Sequence, residues 1–107
     1  MMRSSQLVAL AAGAALSISL WSAQPSAEKG KVAFAQCAVC HDAASGEKKI
    51  GPGLKGLFKK ARLSDGKPVT EASVRSRIEA GGKGMPPYRQ LLDSVEKDDL
   101  LAYLKTL

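Results

Sequence analysis

Apolar side chains recur at helical spacing near the end of the chain. They stand at positions i, i+3, i+4 and i+7 of one stripe, which is formed by Leu100, Tyr103, Leu104 and Leu107. Asp93 and Glu96 have the spacing of a capping box, an arrangement that marks the start of a helix. The pattern predicts a C-terminal helix that begins after Asp93 and buries one face.

A second helix is predicted over residues 70–80. Val74 and Ile78 share one face, and the two glycines that follow residue 80 end the run. Thr70 is a suitable N-cap, with Val69 and Val74 at the two positions of a hydrophobic staple.

A third helix is predicted over residues 26–36, with packing positions at Gly30, Phe34 and either Val32 or Ala33. A short helix at residues 54–60 follows the Gly51-Pro52-Gly53 turn, and Asp65-Gly66 marks another turn. No stretch of useful length alternates apolar and polar residues with period two. The predicted fold class is therefore all-α.

The N-terminus has the pattern of a secretory signal peptide. Met1-Met2-Arg3 precedes an uncharged run of 14 residues, from position 7 to 20, and polar sequence containing Pro25 follows. The run is shorter than the ~18 apolar residues of a spanning helix, although an uncleaved membrane anchor remains an alternative. Trp21 prevents a clean match to the small-x-small cleavage pattern ending at Ala23, so cleavage is expected only somewhere between positions 19 and 27. We assign residues 1–23 to the signal peptide and 24–107 to one small domain.

The charge of the chain points to acidic-faced partners. It has 16 Lys and Arg against 10 Asp and Glu, a net charge of +6, and loss of Arg3 with the leader leaves a net charge of +5. Such a surface steers association with acidic proteins, although a merely soluble surface is the alternative. Nucleic acid is not an expected partner, because the lysines are scattered and aromatic residues are few.

Cys37-Ala38-Val39-Cys40-His41 is the Cys-x-x-Cys-His pattern by which haem c is attached. Two thiols on one helical turn can each form a thioether with a haem vinyl group. The histidine that follows then lies beneath the porphyrin, where its imidazole can bind iron. A small domain of this size also needs a staple beyond its apolar core, and a covalent haem is one.

Three other chemistries use paired cysteines. A zinc site needs four ligands, so here it would require a dimer. A thioredoxin-like pair expects a βαβ context, and a Cys37–Cys40 disulfide would close a very small loop. Residues 24–107 contain two Cys, one His and one Met, which is the set that one covalent, His/Met-ligated haem uses.

Metal-bound histidines normally donate their second ring N–H to an oriented acceptor. For His41 we expect the backbone carbonyl of Pro52, because residues 50–53 can fold back over it. An ordinary surface turn is the alternative at this position.

Met85 is the candidate sixth ligand of the iron. It lies in Gly82-Lys83-Gly84-Met85-Pro86-Pro87-Tyr88, where the residue before proline is held extended and the prolines restrict the loop. A thioether held in this way suits the open face of haem iron, whereas a loop methionine without function is the alternative.

Together these residues resemble the small soluble class I cytochromes c over nearly all of residues 24–107. The matching segments are Gly30-x-x-x-Phe34-x-x-Cys37-x-x-Cys40-His41, Gly51-Pro52-Gly53-Leu54-x-Gly56, Gly84-Met85-Pro86-Pro87-Tyr88 and Leu100-x-x-Tyr103-Leu104. The resemblance implies a small cytochrome c fold with three to four helices around one covalent haem.

The resemblance also implies that the terminal helices cross closely at Gly30, with Phe34 near Tyr103 and Leu104. Two features depart from the family. Lys97 stands where the last helix often carries an apolar residue, and residues 24–107 lack tryptophan. The candidate partners for the haem propionates are Lys59, Arg62, Tyr88 and Arg89.

The expected function is that of an exported, periplasmic monohaem cytochrome c, a monomer that carries one electron between redox proteins. It is not expected to be an enzyme or to bind a small-molecule substrate. One alternative is a dedicated haem subunit of a periplasmic dehydrogenase or oxidase, which tight co-purification with one catalytic partner would favour. Another is a sensor from which Met85 dissociates, which strong CO binding to the reduced protein would favour.

The leader pattern predicts a processed N-terminus. Because the apolar run is short, the mature chain should begin between positions 24 and 28. N-terminal sequencing of the protein from its native source checks this expectation. Intact Met1 or Met2 in a membrane fraction would establish an anchor instead.

Overall fold

Three α-helices form the framework of the part of the chain that the computed structural model describes, which is Gly13 and residues 24–107. They are α1 Ala27–Ala33, α2 Glu71–Ala80 and α3 Ser94–Leu104, and single 3₁₀ turns cover Phe34–Gln36 and Leu57–Lys59. In these residues the only β-type pairings are two isolated bridges, Arg62 with Pro68 and Gly82 with Met85. The prediction of an all-α fold is confirmed.

The predicted leader lies, apart from Gly13, outside the described residues. Among those residues, no helix has both the length and the apolar character needed to cross a membrane.

Helix α1 is shorter than predicted. Its N-cap is Ser26, whose Oγ accepts a hydrogen bond from the Lys29 amide at 3.2 Å. The chain tightens into the 3₁₀ turn Phe34–Gln36 before the first cysteine. Of the two packing positions proposed in its middle, Val32 is 76% exposed, so this side chain faces solvent, whereas Ala33 is half-buried.

The helix predicted at residues 54–60 is reduced to the turn Leu57–Lys59. Gly56 precedes it with φ 68°, a left-handed conformation that does not continue into a longer α-helix. The helix predicted at residues 70–80 is present as α2, with Thr70 as its N-cap in a capping box completed by Ser73.

Helix α3 begins with the predicted capping box. The Asp93 carboxylate accepts from the Glu96 amide at 2.8 Å, and the Glu96 carboxylate accepts from the Asp93 amide at 3.2 Å. Leu101 is buried in addition to the predicted stripe, because α3 is covered on more than one side. The core consists of Phe34, Leu57, Val74, Ile78, Leu92, Leu100, Leu101 and Leu104.

Helices α1 and α3 cross at Gly30, as the resemblance implied. A β-carbon at Gly30 would lie 1.9 Å from the Asp99 carbonyl oxygen, so only glycine permits this approach. The rings of Phe34 and Tyr103 pack beside the crossing, with centroids 5.3 Å apart. The Ser26 amide donates to the Asp99 carboxylate at 2.7 Å, which fixes the start of α1 against α3. The crossing therefore sets the direction in which the chain enters Cys37.

Candidate functional site

The two cysteines and the histidine lie on one helical turn that extends the end of α1. The Cys37 and Ala38 amides donate to the Phe34 carbonyl at 2.7 and 3.0 Å. The Cys40 and His41 amides donate to the Cys37 carbonyl at 3.1 and 2.9 Å. This backbone geometry places the three side chains close together on one segment.

Both thiols are free and partly buried. Burial raises the pKa of the Cys37 thiol, and the neighbouring Cys40 raises it further. A redox-active pair needs the opposite shift, because the thiolate is the nucleophile. Among the described residues, no group of three or more His, Cys, Asp or Glu side chains is arranged to hold a metal ion. The raised pKa of Cys37 therefore gives the thioredoxin-like alternative no support.

The loop at residues 50–53 folds back over His41. The Gly51 amide donates to the Cys40 carbonyl at 2.7 Å. His41 Nδ1 lies 2.8 Å from the Pro52 carbonyl oxygen, which is the hydrogen bond expected from the sequence. With Nδ1–H as the donor, Nε2 carries a free lone pair that can bind a metal. The turn thus presents His41 as a ligand with a fixed ring, and ligation itself stays a prediction.

Gly51 lies directly against the imidazole of His41. A β-carbon at Gly51 would come within 2.6 Å of His41 Cε1 and 2.9 Å of Nδ1. From the sequence this glycine was identified only as part of a turn, because its close approach to the ring of His41, ten positions upstream, leaves no local pattern. The Gly51 backbone and the Pro52 carbonyl together form the support for the ring.

Met85 lies in a tight loop after α2. The helix ends where Gly81 takes φ 64°, and Lys83 is the only non-glycine with positive φ among the described residues, at 50°. The Gly82 amide donates to the Met85 carbonyl at 2.9 Å, and the Met85 amide donates back to Gly82 at 3.1 Å. These reciprocal bonds fix the backbone that carries the thioether.

The cysteine turn and the methionine loop face the same apolar region. Cys37, Met85 and Tyr88 are partly buried and pack against one core cluster. Burial raises the pKa of Tyr88, and the proximity of Cys37 and Cys40 raises it further. The chain therefore brings Cys37, Met85 and Tyr88 to one apolar region, and the donor set of two thiols, an imidazole and a thioether fits haem c.

The structure shows different surroundings for three of the four candidate propionate partners. Arg62 donates to the Gly66 carbonyl at 2.9 Å, and Arg89 lies 3.8 Å from the Glu79 carboxylate. Both guanidinium groups therefore have partners within the chain. Tyr88 lies close enough to Cys37 and Cys40 for both thiols to raise its pKa.

Two comparisons with known proteins agree on the kind of domain. Residues 25–104 match the family described as cytochrome c oxidase, cbb3-type, subunit III. The structure of cytochrome c6 from the diatom Phaeodactylum tricornutum is similar, with a TM-score of 0.60 and 27% sequence identity. That alignment covers 76% of this chain and 92% of the diatom protein.

Substitution of Gly51 by alanine tests the support of His41. The added methyl group would overlap the imidazole, so the variant should lose about 2 kcal/mol in its free energy of unfolding. Urea titration of the haem-loaded protein measures this loss. Gly46→Ala is the control, because no atom lies within 4 Å of its β-carbon position. Equal stabilities for the two variants would show that Gly51 is not a contact of the ring.

Proposed function

Since this chain belongs to the cytochrome c family described as cytochrome c oxidase, cbb3-type, subunit III, we propose that it is an exported carrier of single electrons between redox proteins. It is a small monohaem class I cytochrome c, and its cofactor is covalent haem c. Family membership does not specify three further properties, which we propose below. They are the residues that hold the haem, the surface that binds redox partners and the location of the protein.

We propose that Cys37 and Cys40 form the two thioethers and that His41 and Met85 are the axial ligands. The observation that carries this assignment is the 2.8 Å contact between His41 Nδ1 and the Pro52 carbonyl oxygen, which leaves Nε2 for the iron. Each thiol would add across one vinyl double bond of the haem, an addition that needs no external oxidant.

The bound haem supplies a one-electron couple, and the chain's residues hold its ligands and limit its access to solvent. Pro52 and Gly51 keep the His41 ring in one orientation. The paired Gly82 and Met85 backbones keep the thioether in place. If His41 and Met85 both bound the iron, a substrate would find no open coordination site. These features favour electron transfer over catalysis.

A partner surface is proposed beside the cysteine turn. Val39 is 67% and Ile50 72% exposed, although both are large apolar residues. Lys48 and Lys49 adjoin them, and the Lys49 ammonium donates to the Ala38 carbonyl at 3.0 Å. We name Val39, Lys48, Lys49 and Ile50 the cysteine-side patch. Apolar contact with a cationic rim suits an acidic-faced redox partner.

A second candidate function is that of a dedicated subunit in a larger oxidoreductase. The family description names subunit III of an oxidase, which favours this alternative for the same domain. In either setting, we propose that residues 1–23 direct export to the periplasm and that residues 24–107 form a monomeric haem domain.

Substitution Met85→Ala tests the axial assignment. The haem should stay attached, because the thioethers depend on Cys37 and Cys40. The reduction potential should fall, because the thioether's preference for ferrous iron is lost, and stability should drop by about 2 kcal/mol. The measurements are redox titration and the weak red charge-transfer band of sulfur-ligated ferric haem.

Leu91→Ala is the matched control for Met85→Ala, because Leu91 follows the loop and is 66% exposed. It should keep both the band and the potential of the wild type. If the wild type lacks the band, or Met85→Ala keeps both properties, Met85 is not the ligand. Strong CO binding by the reduced wild type would then favour a sensor.

Charge steering at the cysteine-side patch is tested with small inorganic oxidants. Oxidation of the reduced protein by anionic ferricyanide should slow as salt is added, and Lys49→Gln should slow it about two- to tenfold at low salt. Lys105→Gln removes the same charge from the end of α3, where the lysine pairs with Glu71, and should have a smaller effect. Equal effects of the two variants would refute a localised docking surface.

A further inference from the structure

Lys97 is a buried lysine in the last helix. It is 9% exposed, and it stands where the family resemblance leads one to expect an apolar residue. Burial of an ammonium group is costly unless the charge has close polar partners. The partners of Lys97 therefore indicate what the residue does.

Those partners belong to the segment that leaves the methionine loop and to the end of α2. The Lys97 ammonium donates to the Arg89 carbonyl at 3.1 Å and lies 3.7 Å from the Glu79 carboxylate. The Arg89 guanidinium lies 3.8 Å from the same carboxylate oxygen. Helix α3 is thereby tied to Arg89 and Glu79 at once.

The same segment is joined to α2 through its backbone. The Tyr88 amide donates to the Ile78 carbonyl at 2.9 Å, and the Arg89 amide donates to the Glu79 carbonyl at 3.2 Å. We name residues 88–89 the loop exit. Its position is thus set by two backbone hydrogen bonds to α2 and by the Lys97 ammonium from α3.

Only Pro86 and Pro87 separate the loop exit from Met85. Proline fixes its φ, so this connection has little freedom to absorb a movement. At the other end, Met85 is bonded to Gly82 in both directions. A displacement of the Met85 backbone, and of the thioether that it carries, is therefore transmitted to the loop exit.

We propose that Lys97 is a positioning residue that holds the loop exit in place and thereby limits release of the Met85 sulfur from the haem iron. This role rests on the proposed ligation by Met85. It acts through the Arg89 carbonyl, and Lys97 itself touches neither ligand nor iron.

If Lys97 had a purely structural role, imidazole affinity would change only together with the free energy of unfolding. Replacing a buried ion pair by apolar side chains often leaves a fold as stable or more stable. The double variant Lys97→Met/Glu79→Leu replaces both partners and should therefore keep or raise the free energy of unfolding, while the loop exit loses its tether. Lys97→Met alone leaves the Glu79 carboxylate with Arg89 only and should lower the free energy of unfolding. In the double variant, global stability and ligand retention should then respond in opposite ways.

The experiment uses imidazole as a competitor for the sixth position of the ferric, haem-loaded protein. Imidazole should bind Lys97→Met and the double variant Lys97→Met/Glu79→Leu about tenfold more tightly than the wild type, as expected from the loss of one hydrogen bond to a charged group. The red charge-transfer band reports displacement of sulfur. Hydrogen exchange should also quicken at the Tyr88 and Arg89 amides, with exchange in α1 unchanged.

Lys105→Met is the matched control, because it makes the same change on α3 where the lysine pairs with Glu71. It should leave imidazole affinity unchanged. Lys97→Leu is a second apolar variant and should behave as Lys97→Met does. Unfolding by urea is measured for every variant, so that affinity and global stability are compared directly.

The outcomes separate the two proposals. If the wild type shows the band and the Lys97 variants bind imidazole as the wild type does, the role of Lys97 is refuted and Met85 remains the ligand. Tighter imidazole binding by the double variant with a matching loss of its global stability also refutes it. If the wild type lacks the band, ligation by Met85 fails, and the inference fails with it.

Discussion

The contact between the Gly30 backbone and the Asp99 carbonyl oxygen is the constraint on which the rest of the structure depends. It allows α1 and α3 to approach more closely than side chains would permit. Phe34 then reaches Tyr103, and the chain leaves α1 in the direction that places the cysteine turn against the core. A small domain has little apolar area to bury, so one misplaced helix would expose much of it.

Two loops of different construction hold the proposed ligands in position. The support of His41 combines a glycine that makes room for the ring with a carbonyl that orients it. The support of Met85 is a tight backbone turn followed by two prolines. In both loops the backbone does the positioning, which explains why glycine and proline dominate their sequences.

The elements that could be predicted from the sequence have local physical causes. Both capping boxes involve side chains three residues apart in the sequence. The box of Asp93 and Glu96 could therefore be predicted, whereas at α2 only the N-cap Thr70 was predicted and its partner Ser73 was not. The candidate site was predicted from the fixed Cys-x-x-Cys-His spacing. The contact of Gly51 with His41 and the partners of Lys97 depend on tertiary packing, which spacing does not encode. The helix predicted at residues 54–60 is only the turn Leu57–Lys59, because Gly56 takes a left-handed conformation that the sequence does not specify.

The bond between the Ser26 amide and Asp99 spans 73 positions in sequence, and this separation has a consequence for the order of folding. Closing so long a loop costs chain entropy before the contact contributes any stabilisation. Helix α1 has seven residues and is too short to persist alone. We therefore expect the segment bearing Cys37, Cys40 and His41 to gain its structure only when α3 docks on α1. On that expectation, docking of the last helix limits the time during which the thiols are accessible for modification.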